Sequence, residues 1–147
     1  LQVQIIVSDG LNANAVMDDG HLAPYLSALE KYLRAGKLRP APEILVLRGG
    51  RVRAGYRIGE TLFGRAPDTQ DHKAIIHIIG ERPGTMHHTF SAYITAPAAS
   101  VWTKGGIDHN ITRVVSGVAD TALKPVIAAK ETAGLLADLW KVKTTSR

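Results

Sequence analysis

The side chains of this sequence best suited to acid-base or metal chemistry are its six histidines, and their spacing decides what they can do. His87 and His88 adjoin a proline-glycine turn, His109 follows Asp108, and His77 sits inside an apolar run. Catalytic zinc needs about three converging protein ligands, and neighbours in sequence rarely both point inward. Exposed loop histidines are therefore expected at 87, 88 and 109, and a satisfied core or interface residue at His77. A cysteine is absent, which removes thiolate chemistry and disulfides from this chain. Neither the serine-hydrolase elbow Gly-x-Ser-x-Gly nor a glycine-rich phosphate loop ending in Lys-Ser or Lys-Thr occurs. Ser8-Asp9-Gly10 has no base at a fixed offset, so no motif assembles acid, base and nucleophile. One private arrangement stays open, a small independent α/β enzyme using Asp9, Glu81 and His109.

These candidates hang from strands. Ala74 to Ile79 is an apolar run rich in isoleucine that stops in Gly80-Glu81-Arg82-Pro83-Gly84. Continuous β-branched runs of this kind suit parallel strands covered on both faces. Pro83 and Gly84 suit the corners of a tight turn, which would fix the direction of Glu81 and Arg82. In an open α/β sheet that carboxyl edge is where ligands bind. Val3 to Val7 predicts a first strand, with the polar Ser8-Asp9-Gly10 turn at its end. The spacing of Leu22, Tyr25, Leu26, Leu29 and Leu33 predicts a helix from Leu22 to Ala35, stopped at Gly36. Glu43 to Leu47 reads as a second strand, followed by Arg48-Gly49-Gly50-Arg51-Val52-Arg53, and a short helix is expected over Tyr56 to Gly64. Residues 66–72 read as a surface loop. Phe90 to Thr95 alternates as a fourth strand, 98–110 reads as a loop, and Ile111 to Val115 as a fifth strand or an extended segment. A last helix starts near Thr121 to Pro125 and reaches about Trp140. Strands alternating with helices predict an α/β domain of three layers around a mostly parallel central sheet.

At 147 residues and 45% apolar content, a single domain over 1–147 is expected. No run approaches the roughly 20 apolar residues of a membrane span. The formal charge is +5, but the basic residues are dispersed and aromatics are only 5%, too few for the stacking platforms of a nucleic-acid binder. A solvated basic face that steers an acidic partner or a phosphate-bearing cofactor accounts for the charge.

Four segments in order resemble one family. Ile5-Ile6-Val7 before Ser8-Asp9-Gly10-Leu11-Asn12, then Gly50-Arg51-Val52, then Gly80-Glu81-Arg82-Pro83-Gly84 after an apolar strand, then Ser91-Ala92-Tyr93, are similar to the light (small) chain of ethanolamine ammonia-lyase, at its C-terminal cobalamin-binding domain. The resemblance covers nearly the whole chain and implies a Rossmann-like domain, with a family N-terminal segment that this sequence does not contain. It further implies a non-catalytic light subunit of an adenosylcobalamin-dependent lyase that converts ethanolamine to acetaldehyde and ammonia. Such a subunit forms a hetero-oligomer with a barrel-shaped heavy chain and helps enclose the cofactor at their interface. It resides in the cytoplasm or in a bacterial microcompartment of ethanolamine degradation, with no nucleic acid or membrane partner.

Carried over residue by residue, the family's cofactor-contacting positions fall on Val52, Glu81 and Ile111. Glu81 would accept hydrogen bonds from corrin amides, and Val52 would pack on the ring's apolar rim. Ile111 stands where the family has a cysteine three residues after an Asp-Arg pair, which here reads Asp108-His109. The loop before the central strand is longer than the family's, and Thr85-Met86-His87-His88-Thr89 departs from the family's run. These departures motivate the alternative of a diverged cobalamin-binding or scaffolding module without lyase activity.

Overall fold

The computed structural model describes residues 3–8, 22–47, 52–63, 73–80, 90–96, 112–118 and 124–145; at 52–53, 60, 112–113, 115–118 and 140–145 it describes the backbone alone. The elements in order are β1 (Val3–Ser8), α1 (Leu22–Ala35), β2 (Leu45–Leu47), α2 (Val52–Phe63), β3 (Ala74–Gly80), β4 (Phe90–Thr95), β5 (Thr112–Val118) and α3 (Pro125–Thr145). The strands form one sheet in the order β2-β1-β3-β4-β5.

β1 pairs in parallel with both β2 and β3, while β4 is antiparallel to β3 and to β5. The sheet is therefore mostly parallel in direction, with β4 alone reversed. Residues 81–89, between β3 and β4, are too few for the helical crossover of about a dozen residues that a parallel return requires. β1 to β2 and β2 to β3 travel in opposite directions along the sheet. The right-handed crossover rule then puts the intervening helices on opposite faces.

Side-chain packing shows those two faces. On one, Val3, Ile5 and Val7 of β1, Ala74, Ile76 and Ile78 of β3, and Phe90, Ala92 and Ile94 of β4 meet α1 and α3. Strand alternation selects these odd and even sets. α1 contributes Tyr25, Leu29 and Leu33 at helical spacing, and α3 contributes Ala128, Ala129, Ala133 and Leu136. A side chain such as Leu29 or Ile76, fully buried, stabilises the fold by about 1.5–3 kcal/mol. Tyr25 bonds Thr132 of α3 through its hydroxyl at 2.8 Å and sets its ring edge-on to Phe90 at 5.2 Å. Burial pushes the Tyr25 phenol pKa upward, against a smaller opposing effect of the Thr132 bond. On the other face Ile6 and Ile75 pack with Phe63 and Ile58 of α2 and with Leu45 and Leu47. The three-layer architecture expected from the alternation of elements is the one observed.

The boundaries sharpen several expectations. α1 covers Leu22–Ala35 as its periodicity predicts, and the residue that closes it is one further along than the glycine expected to do so. Lys37, not Gly36, takes the left-handed conformation at φ 62°, and the Leu38 and Lys37 amides donate to the Leu33 and Arg34 carbonyls in a Schellman closure. α2 begins at Val52, four residues before the expected Tyr56, and ends at Phe63. α3 continues past Trp140 to Thr145. β2 is only Leu45–Leu47, because the chain ahead of it is held differently. Pro40 bridges Val3, and the Glu43 carbonyl accepts the Gln4 amide at 2.9 Å. The fifth segment is a strand, running three residues beyond Val115. The loops expected over 66–72 and 98–110 lie outside the described residues.

Candidate functional site

The reversal of winding falls between β1 and β3, the two central strands from which the chain moves in opposite directions along the sheet, β1 to β2 and β3 to β4. At such a switch point the connections at the carboxyl ends diverge and leave a crevice. Ser8 closes β1 there, Gly80 closes β3, and Val52 opens α2 after β2 has ended at that same edge. The residues that follow Ser8 and Gly80, Asp9 and Glu81, lie outside the described residues, as do Ile111 and His109. Of the three positions the resemblance nominates, only Val52 is described, by its backbone, as the first residue of α2.

Beneath that edge the second face of the sheet is markedly more polar than the first. Gln4 and Ser8 of β1, His77 of β3, and Ser91 and Thr95 of β4 are all buried. Tyr93 stands opposite His77 in register and is half-buried. Ser8 and His77 meet across the β1/β3 pair, with Ser8 Oγ 2.9 Å from His77 Nε2. The other ring nitrogen, Nδ1, is buried and has no hydrogen-bond partner among the described residues. His77 is thus half-satisfied, where full satisfaction was expected. Burial lowers its pKa to about 4, so the imidazole is neutral near pH 7.

What Nδ1 faces decides the tautomer. A Cβ built on Gly55 would lie 2.6 Å from it, so this nitrogen points at the backbone of the first turn of α2. A proton on Nδ1 would be a buried donor aimed at carbon, at a cost of about 1–3 kcal/mol. A lone pair there instead meets a polarised Cα–H, a weakly favourable contact. With the proton on Nε2 the imidazole donates to Ser8 Oγ, and an imidazole in that tautomer is not poised to take the serine's proton. The pair is a polar strut between two strands and a helix.

Sequence reasoning missed this strut. The signals were present in two periods: Gln4, Ile6 and Ser8 alternate onto one face of β1, and Gly55 and Gly59 recur four apart on one face of α2, both of them buried. The lack of a side chain at Gly55 is what lets the helix come down onto His77.

Among the described residues no group of three His, Asp or Glu side chains is placed to hold a metal ion. None of the described helices is long and apolar enough to cross a membrane. Compared with known protein families, residues 1–146 match the family model of the ethanolamine ammonia-lyase light chain (EutC). No curated protein matches the chain at a significant level.

Proposed function

The chain belongs to the ethanolamine ammonia-lyase light-chain family, and we propose that it acts as the light subunit of such a carbon-nitrogen lyase by walling one side of the adenosylcobalamin site against a heavy chain. The observation that carries this reading is topological. The ends of β1 and β3 and the start of α2 meet at one sheet edge, at the place where open α/β sheets receive ligands.

The donor chemistry suits the cofactor's periphery rather than its metal. A corrin presents amide arms and an apolar rim, for which a carboxylate at Glu81 and aliphatic groups at Val52 and Ile111 are apt partners. His77 is not available to cobalt, since it is only 2% exposed and its Nε2 is engaged by Ser8. When bound, adenosylcobalamin supplies the homolytic chemistry that starts deamination. The role of this chain is to orient the ring, to hydrogen-bond its arms and to exclude water. Glu81 accepts from the arms, Val52 packs at the rim from the first turn of α2, and Ile111 closes the wall by apolar contact. The heavy chain holds the substrate.

The test is reconstitution. The purified chain, mixed with an ethanolamine ammonia-lyase heavy chain and with adenosylcobalamin, should co-elute as a hetero-oligomer and release acetaldehyde and ammonia from ethanolamine. Absence of association overturns the assignment. A cobalamin spectrum without turnover selects the diverged binding module instead, the reading favoured by isoleucine rather than cysteine at 111.

A further inference from the structure

We propose that His77 is a positioning residue for the cofactor wall: its imidazole is the spacer that sets the height of the first turn of α2, and hence of Val52, above the switch point. The inference rests on the cofactor-wall reading above.

Three contacts define the spacer. One edge of the ring is tied to β1 through Ser8 Oγ at 2.9 Å. Its base is fixed in the middle of β3, where Ile6 is its register partner on β1 and Tyr93 on β4. Its remaining edge is pressed to α2: a Cβ at Gly55 would lie 2.6 Å from Nδ1, 3.2 Å from Cγ and 3.4 Å from Cβ of His77. Gly55 is the fourth residue of α2 and Val52 the first, so a single helical turn links the pressed backbone to the nominated contact position. A planar ring held at both edges has little freedom to give way. Phe63 and Ile58 seat the later turns of α2 on Ile6 and Ile75, and in the first turn it is the ring that the Gly55 backbone rests on.

Nδ1, without a hydrogen-bond partner among the described residues, points the same way. Buried polar atoms without partners are rare and call for an explanation. His77 shares its face of β3 with Ile75 and Ile79, and an aliphatic residue at 77 would fill the layer without stranding Nδ1 or requiring the Ser8 bond. What an aliphatic residue would not supply is a flat, tethered plate against a glycine.

Substitution tests the spacer from both sides. In the heavy-light complex, Gly55→Ala forces ring and helix apart, since contact at 2.6 Å must open by about 0.8 Å to reach the 3.4 Å of ordinary van der Waals contact. His77→Ala removes the plate and lets the turn sink. Binding of hydroxocobalamin, followed by its absorption change on titration, should weaken about tenfold or more in each single variant, because displacements approaching 1 Å disrupt aligned contacts. The double variant Gly55→Ala/His77→Ala should bind more tightly than Gly55→Ala alone, because the new methyl group then has room. A merely structural contact would lower the melting temperature and leave the affinity of the folded complex unchanged. Folded single variants that bind hydroxocobalamin as the wild type does overturn the inference, and if Gly55→Ala does not fold, His77→Ala decides it. A wild-type complex that binds no cobalamin overturns the cofactor-wall reading itself, and the spacer with it.

Discussion

Replacing His77 with a side chain that does not titrate should flatten the acid limb of the stability curve. His77→Gln keeps an amide within reach of Ser8 and removes the ionisation. In the folded protein burial holds the imidazole pKa near 4, against about 6.5 for an ordinary histidine. The folded pKa is the lower one, so between these values the unfolded chain binds more protons than the native one. Stability is then fully present above pH 6.5 and is lost as the pH falls toward 4. With these two values the linkage relation gives a loss of about 2 kcal/mol between pH 7 and pH 5, and about 3 kcal/mol in total once the pH is below both. Urea unfolding of the purified chain, followed by far-ultraviolet circular dichroism at several pH values from 5 to 7, measures it. Carboxylates titrate alike in wild type and variant and cancel in the difference. A stability difference between wild type and the His77→Gln variant that changes by less than about 0.5 kcal/mol over that range would refute the buried, neutral, one-sided histidine.

Two further substitutions probe the helices away from the sheet edge. Lys37→Gly relieves a left-handed backbone at φ 62° at the exposed end of α1 and should stabilise by about 1 kcal/mol, or roughly 3 °C in melting temperature; a lower melting temperature would contradict the cap. Gly134→Ala, at an exposed site inside α3 with no atom within 4 Å of the added methyl, should also stabilise by about 1 kcal/mol through helix propensity. Calorimetry that shows a loss instead would mean that the outer surface of α3 at this position is covered.

What could be read from sequence was whatever local periodicity writes. Leu22, Tyr25, Leu26, Leu29 and Leu33 mark α1 because burial on one helical face imposes that spacing, and both of its ends emerge at the expected residues. The run from Ala74 marks β3 as buried on both faces, and it is. Direction was harder to read, because an apolar strand looks the same whether its neighbour is parallel or antiparallel. The reversal of β4 follows from the length of the connection after Gly80, not from β4's own residues. The start of α2 was hidden because its first turn carries no apolar periodicity and seats a glycine, Gly55, against His77. The Ser8 to His77 bond joins residues 69 apart in sequence, across a strand pairing that no local pattern reports. Val52 was nominated as a residue after a strand and is found as the first residue of a helix; Glu81 was singled out by its turn at a strand end as well as by resemblance, Ile111 by resemblance alone, and both lie outside the described residues.

The contrast between the sheet's faces assigns them different work. The α1/α3 face is filled by aliphatic and aromatic groups, and its polar link from Tyr25 to Thr132 is closed by a further bond from Thr132 to the Ala128 carbonyl. Such a face maximises burial, and both hydroxyls of that link have partners. The opposite face carries Gln4, Ser8, His77, Ser91 and Thr95 buried, receives α2 on a glycine at His77, and leaves a ring nitrogen without a partner among the described residues. Replacing a buried polar pair by well-packed apolar groups is often neutral or stabilising, so stability alone gives no reason for a serine-histidine strut at this point. Position does: a hydrogen-bonded ring resists sliding and rotation in a way that a methyl cluster does not. The strut stands directly beneath the carboxyl ends of β1 and β3, where an offset of an ångström in the first turn of α2 would carry Val52 with it.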